Sequence, residues 1–213
     1  MNVLIICTGK PDVDLSGKYT SKEFDALQQR LFSAGIGSQA EKQIVRKDRP
    51  VFFGEGTPAR MTAEAMLGKC GFEPDLLLNE IPVVSAEDSE KKYSYSAWQK
   101  KAASQRKRAI SRQPESQKAA RKRAEEVIEK LEQIEDTCIV IVYPLFLEEL
   151  LEAFRMHGYV IQRSILGKIR PLVRIFVSHR RDHCGGCSHN CFLSNPGCGV
   201  GKDKAARQAR KQK

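Results

Sequence analysis

Apolar runs alternate with amphipathic stripes along the chain. Residues 3–6 form a continuous apolar run ending at Cys7-Thr8-Gly9-Lys10, which predicts a buried strand that delivers a loop at its C-terminal end. Thr20-Ser-Lys-Glu23 reads as a capping box, and Phe24, Leu27, Leu31 and Phe32 behind it form the stripe of an amphipathic helix that stops near Gly35. Residues 49–53 predict a second strand, broken at Gly54-Glu-Gly56, and Pro58 suits the first turn of a helix reaching about Lys69. The order so far is β-α-β-α.

Residues 74–84 predict a connection with one short edge strand, because Pro82 cannot donate to a ladder. Residues 85–112 are polar and read as largely helical, and a further helix is expected from about Pro114 to Ile134 with Ala120, Ala124, Val127, Ile128 and Leu131 on one face. Residues 137–142 predict the central strand, with a helix after Pro144 carrying Leu147, Leu150, Leu151 and Phe154. Two strand-like runs, 159–165 and 172–177, have the spacing of a hairpin. Strands alternating with helices imply a three-layer α/β/α sandwich, with ligands expected beyond the C-terminal ends of the parallel strands.

The hydrophobic pattern ends after Ser178, and a different chemistry begins. Cys184, Cys187, Cys191 and Cys198 are spaced C-x2-C-x3-C-x6-C among glycines and a Pro-Gly turn, a local thiolate cluster suited to a tetrahedral soft-metal ion. Zn2+ is the expected occupant and an iron–sulfur cluster the alternative, since the spacing departs from the common ferredoxin run. His183 and His189 are additional possible ligands; a reduced or disulfide-bonded tail is the reading without metal. The expected organisation is an α/β domain over 1–178 with a basic helical insertion at 85–134, a metal-binding segment at 179–200 and a basic tail at 201–213.

Composition narrows the class. The chain has 213 residues, 41% hydrophobic and 29% charged, enough for one sizeable core. No apolar run approaches the ~20 residues of a membrane span. The N-terminal run is short and lacks a basic flank, so it reads as a strand and not a signal peptide. A cytoplasmic, reducing location without membrane attachment is expected, where clustered cysteines serve metals more often than disulfides. The net charge of +10 is concentrated: ten Lys/Arg against one Glu between Lys100 and Arg123, and six against one Asp from Lys202 to Lys213. Such stretches suit an anionic ligand, a phosphorylated molecule or a nucleic acid, or else are the solvated faces of helices.

The arrangement over 1–178 resembles the histidine phosphatase superfamily, in its phosphoglycerate mutase-like branch. The resemblance rests on Leu4-Ile-Ile-Cys7-Thr8-Gly9, the helix from Thr20, and Pro58-Ala-Arg60-Met-Thr62-Ala63-Glu64. It continues through Leu78-Asn-Glu80, Glu115-Ser116 with Arg121 or Arg123 downstream, and the strand leading to Tyr143-Pro144-Leu145. The resemblance implies phosphoryl chemistry through a phosphorylated His, a second His, two arginines and a carboxyl acid. Here the first Arg is replaced by Cys7, the nucleophilic His by Thr8, the second His by Pro144 and the second Arg by Pro58, with Arg60 nearby. Gly9 and a possible acid, Glu115, remain, and a phosphohistidine cannot form at Thr8. The expectation is a divergent, non-catalytic member that binds a phosphorylated or anionic partner. One alternative is a phosphohydrolase in which Cys7, Arg60 and Glu115 act as nucleophile, phosphate clamp and acid; a thiolate near Lys10 or Arg60 would have a lowered pKa. The other is a zinc-containing nucleic-acid-binding protein. Cys70 and Cys138 fit core positions.

Overall fold

A computed structural model describes residues 2–37, 49–68, 73–134, 137–164 and 174–179. The chain divides into two compact units, Met1–Ser178 and His179–Lys213, and the fold described here is that of the first. The cysteine cluster, His183, His189, Cys70 and the basic tail lie outside the described residues.

The unit is a mixed α/β structure. Its strands are β1 (Asn2–Cys7), β2 (Lys18–Tyr19), β3 (Val51–Phe53), β4 (Tyr93–Ser94), β5 (Cys138–Val142), β6 (Tyr159–Ser164) and β7 (Arg174–His179). Its helices are α1 (Ser21–Ser33), α2 (Thr57–Leu67), α3 (Tyr95–Lys107), α4 (Gln117–Glu132) and α5 (Pro144–Met156). Five strands form one sheet in the order β3-β5-β1-β7-β6. β1 and β3 pair in parallel with β5, and β7 runs antiparallel to β1. The two last strands are neighbours, as their hairpin-like spacing predicts.

Period-two alternation sends the strand side chains to opposite faces. Val3 and Ile5 of β1 join Cys138, Val140 and Val142 of β5 in one cluster with α4 and α5. Leu4 and Ile6 join Ile139 and Ile141 in another with Ala59, Ala63, Met66 and Leu67 of α2. Every residue of β5 is buried, which explains its unbroken apolar sequence.

The helix signals mostly hold. Thr20 and Glu23 form the expected reciprocal cap of α1: the Glu23 amide donates to Thr20 Oγ1 and the Thr20 amide to Glu23 Oε2 at 2.8 Å. Pro58 lies in the first turn of α2. Residues 85–112 are less helical than their polarity suggests, because α3 starts only at Tyr95. Before it, β4 pairs with β2 in a two-stranded sheet, and Trp98 Nε1 donates to the Tyr19 carbonyl at 2.8 Å. Phe24, Val83, Trp98 and Ala102 form a third small core at this junction. No edge strand forms at 81–84; Leu76–Leu78 is a 3-10 turn, capped by Asp75. α4 begins at Gln117 with Ser116 as its N-cap, and its apolar face joins the main core as a structural layer of the sheet rather than as a separate appendage.

Candidate functional site

Three parallel strands end on one rim, and the segments that follow them meet there. After β1, the Thr8 amide donates to the Val142 carbonyl at 2.9 Å and the Gly9 amide to Thr62 Oγ1 at 2.9 Å. Thr62 in turn donates to the Pro58 carbonyl at 2.6 Å, so a buried hydroxyl ties the β1 loop to the first turn of α2. After β3, the Glu55 amide donates to Asn79 Oδ1 at 2.7 Å. Gly54 packs so closely on the Leu78 carbonyl that a Cβ would stand 2.7 Å from it. After β5, Tyr143 caps α5 and its hydroxyl lies against Gly56, where a Cβ would collide with it.

The carboxylate of Glu80 is the centre of this rim. Its Oε1 accepts the amides of Ile81 at 2.9 Å and Phe146 at 3.0 Å, and its Oε2 accepts the Leu145 amide at 3.3 Å. Two of these amides open α5, where unsatisfied N–H groups favour an anion. The carboxylate is therefore an internal cap reaching α5 from a distant segment. Burial raises the Glu80 carboxyl to about 7; its three amide bonds and Arg106 pull the other way. A carboxyl of this kind holds or releases a proton near neutrality.

The candidates singled out from the sequence are differently disposed. Cys7 is half-buried, and desolvation, reinforced by Glu80, pushes its thiol up to about 12. That is opposite in direction to the lowered value an activated nucleophile requires. Thr8 is buried and Arg60 is exposed. Glu115 is bound by Arg123, with Nε to Oε1 at 3.0 Å and the second nitrogen to Oε2 at 2.8 Å. Arg123 also donates to the carbonyls of Leu77 and Asn79, at 2.8 Å each, and lies 4.0 Å over the Phe146 ring. The pair secures the turn that leads into Glu80. Cys138 is buried in β5, with a thiol raised to about 11 by desolvation.

A second charged group lies behind the rim. Glu149 of α5 accepts Gln117 Nε2 at 3.0 Å and Arg121 Nε at 3.2 Å, and Arg106 approaches it at 3.8 Å. Arg106 is buried, and its Nε has no hydrogen-bond partner among the described residues. Tyr143 has a buried hydroxyl that meets no partner at hydrogen-bonding geometry; desolvation raises it to about 12, although the amides of Ala59 and Gly56 lie near enough to oppose that rise.

The stretch between Lys100 and Arg123 is less available than its charge suggests. Lys101, Arg106, Arg112, Arg121, Lys122 and Arg123 pair respectively with Glu87, Glu149, Asp88, Glu149, Glu126 and Glu115. Most of its cations are thus engaged by carboxylates of this chain, which gives little support to a nucleic-acid surface. Among the described residues, no helix is long and apolar enough to cross a membrane, and no group of His, Cys, Asp and Glu has the geometry to hold a metal ion.

Sequence reading passed over Glu80, Arg106 and Glu149. Glu80 lies in the quoted Leu78-Asn-Glu80 segment, but only folding brings α5 onto it. The sequence signal that could have found it is a lone carboxylate at the end of an apolar segment, followed by Ile81 and Pro82.

No protein-family model matches the chain, and neither does any curated protein. Among solved structures, the chain is similar to a mutant phosphoserine phosphatase from Entamoeba histolytica in complex with phosphoserine, at 11% identity and a TM-score of 0.49. It is also similar to phosphoserine phosphatase from the same organism in complex with 3-phosphoglyceric acid, at 11% identity and a TM-score of 0.44. Each alignment covers 73% of this chain and 80% of the other. Likeness at this level carries no activity over to this chain.

Proposed function

We propose that this chain is a non-catalytic protein with a three-layer, histidine phosphatase-like fold that binds a phosphorylated or otherwise anionic partner. One observation carries the non-catalytic part of the reading: the amides opening α5, which could otherwise stabilise an oxyanion, are taken by the chain's own Glu80 carboxylate. The position expected to carry a nucleophilic His holds Thr8, and the thiol beside it is pushed up to about 12. These features support binding without a covalent phosphoryl step. The exposed cations near the rim, Lys10 and Arg60, are the residues that would meet an anion. Calorimetry with inorganic phosphate and phosphoserine, together with a turnover panel of phosphate monoesters, tests the proposal. Saturable binding weakened by Arg60→Ala without turnover supports it; turnover of any ester overturns it.

A phosphohydrolase is the second reading, and the Glu80 proton near neutrality is the observation that favours it. Such an enzyme would draw its proton from Glu80 and not from Glu115, which is engaged by Arg123. Turnover that disappears in Glu80→Gln would establish it.

For the second unit, Cys184, Cys187, Cys191 and Cys198 would hold Zn2+, an ion whose tetrahedral preference suits four local thiolates, with His183 and His189 as possible substitutes. Four thiolates leave no open position, so the ion would have a structural role. Elemental analysis of protein purified without added metal tests this. About one zinc per chain is expected; a visible charge-transfer spectrum with iron would favour the cluster instead. A cytoplasmic location fits such reduced cysteines.

A further inference from the structure

The two oxygens of Glu80 are not equivalent. Oε1 is shared by the amides of Ile81 and Phe146 at 2.9 and 3.0 Å, whereas among the described residues Oε2 receives the Leu145 amide alone, at 3.3 Å. A proton added to the carboxyl disrupts least at Oε2, because one long bond is lost there and two shorter ones are kept. We infer that Glu80 is a proton-operated clasp on α5, with Oε1 as its permanent half and Oε2 as the half that releases the Leu145 amide on protonation.

The surroundings favour a clasp that opens by protonation instead of remaining permanently charged. Arg106 of α3 acts on Glu80 and also leans on Glu149 of α5 at 3.8 Å, so its charge is divided between two carboxylates, while Arg123 of α4, which holds the neighbouring Asn79 carbonyl, is taken up by Glu115. The Cys7 thiol of β1 and the Tyr143 hydroxyl at the cap of α5 both feel the Glu80 charge, and, raised to about 12, they are neutral near pH 7. Among the described residues, Glu80 therefore forms no ion pair of its own. Burial raises its carboxyl to about 7, within the range where small changes in acidity shift its protonation.

The chemistry is a protonation equilibrium. The carboxylate takes one proton from solvent at Oε2, which becomes a hydroxyl and a poorer acceptor than a carboxylate oxygen, and the already long Leu145 bond of 3.3 Å is the one given up. α5 keeps the Phe146 cap throughout, so the helix persists while one of its opening amides becomes available to water or to an anion. This holds whether or not the rim binds a phosphorylated partner.

The test is a pH titration of the full chain by amide NMR between roughly pH 5 and pH 9, a span that brackets the expected midpoint. In the wild type the Leu145 amide is expected to shift with a midpoint near 7, with a much smaller movement at Phe146. Glu80→Gln reproduces the protonated clasp, because its carbonyl still accepts at Phe146 and its amide nitrogen cannot accept from Leu145. In that variant the Leu145 signal should stay at its low-pH position across the range. A Leu145 amide that does not titrate in the wild type, or titrates equally in Glu80→Gln, overturns the inference. Should Glu80→Gln fail to fold, the side-chain carboxyl carbon of Glu80 in the wild type decides: a midpoint below about 5, the ordinary carboxyl range, overturns it.

Discussion

Arg123 grips Glu115 through two hydrogen bonds of 3.0 and 2.8 Å, and both side chains are largely buried. The same guanidinium holds the Leu77 and Asn79 carbonyls. One charged pair therefore joins α4 to the turn that delivers Glu80, and the carboxyl expected to act as an acid has become a structural anchor.

Removing one partner leaves an uncompensated charge in a poorly hydrated place. Arg123→Ala is expected to cost about 3 kcal/mol, and Glu115→Ala a comparable amount. Urea unfolding measures both. A change below about 0.5 kcal/mol would mean that the pair behaves like a surface bridge.

Glu80 makes stability depend on pH in a particular direction. Its folded carboxyl is raised from 4.5 to about 7, so the folded protein binds the proton more tightly than the unfolded chain does. The resulting stabilisation is complete below the unfolded value of 4.5 and is lost as pH rises through about 7. The shift corresponds to about 3 kcal/mol. The measurement is the difference between wild type and Glu80→Gln. Glu80→Gln should gain on the wild type as pH rises from 5 to 8, and a constant difference would refute the assignment.

Gly56 and Tyr143 form a close pair, with the hydroxyl where a Cβ of residue 56 would lie. Gly56→Ala is expected to destabilise by about 1–3 kcal/mol through overpacking. Tyr143→Phe removes a buried hydroxyl without a hydrogen-bond partner and should be neutral or mildly stabilising. Combined, the two should cost less than their sum, because the colliding atom is gone. Strict additivity in a double-mutant cycle would contradict this packing.

Ala109 has φ of 53°, in the left-handed region, just beyond the end of α3. The Ile110 amide returns to the Gln105 carbonyl at 3.0 Å, as in a helix stop usually built on glycine. Ala109→Gly is expected to stabilise by roughly 0.5–1 kcal/mol once the greater freedom of glycine in the unfolded chain is included. Thermal unfolding reads the effect directly.

Cys7 should be a poor nucleophile in the folded protein. With its thiol near 12, iodoacetamide labelling at pH 8 is expected to be slower than in the unfolded chain by a factor on the order of a hundred or more. Peptide-level mass spectrometry separates Cys7 from the other cysteines. Labelling at the unfolded rate would restore it as a candidate nucleophile.

Local signals were legible wherever their partners are close in sequence. The Thr20–Glu23 box spans three positions, Pro58 fixes its own backbone, and the unbroken apolar run of β5 already implies burial on both faces. The 3-10 turn at Leu76–Leu78 and the β2–β4 pair were not legible. The first replaces a strand that apolar residues alone would permit, and the second depends on residues about seventy-five positions apart.

The same division separates the chemistry. The sequence by itself determined that Thr8 and Pro144 stand where the resemblance to the histidine phosphatases would call for histidines, and that no imidazole is available at those points however the chain folds. It also determined the local spacing of Cys184, Cys187, Cys191 and Cys198. Only the tertiary structure decided that Glu115 serves Arg123, that most cations between Lys100 and Arg123 meet carboxylates of this chain, and that Glu80 caps α5 across 66 positions. The reason is physical: propensity, capping and residue identity act over a few positions, whereas a charge's role depends on its desolvation and its partners, which exist only once the elements have packed.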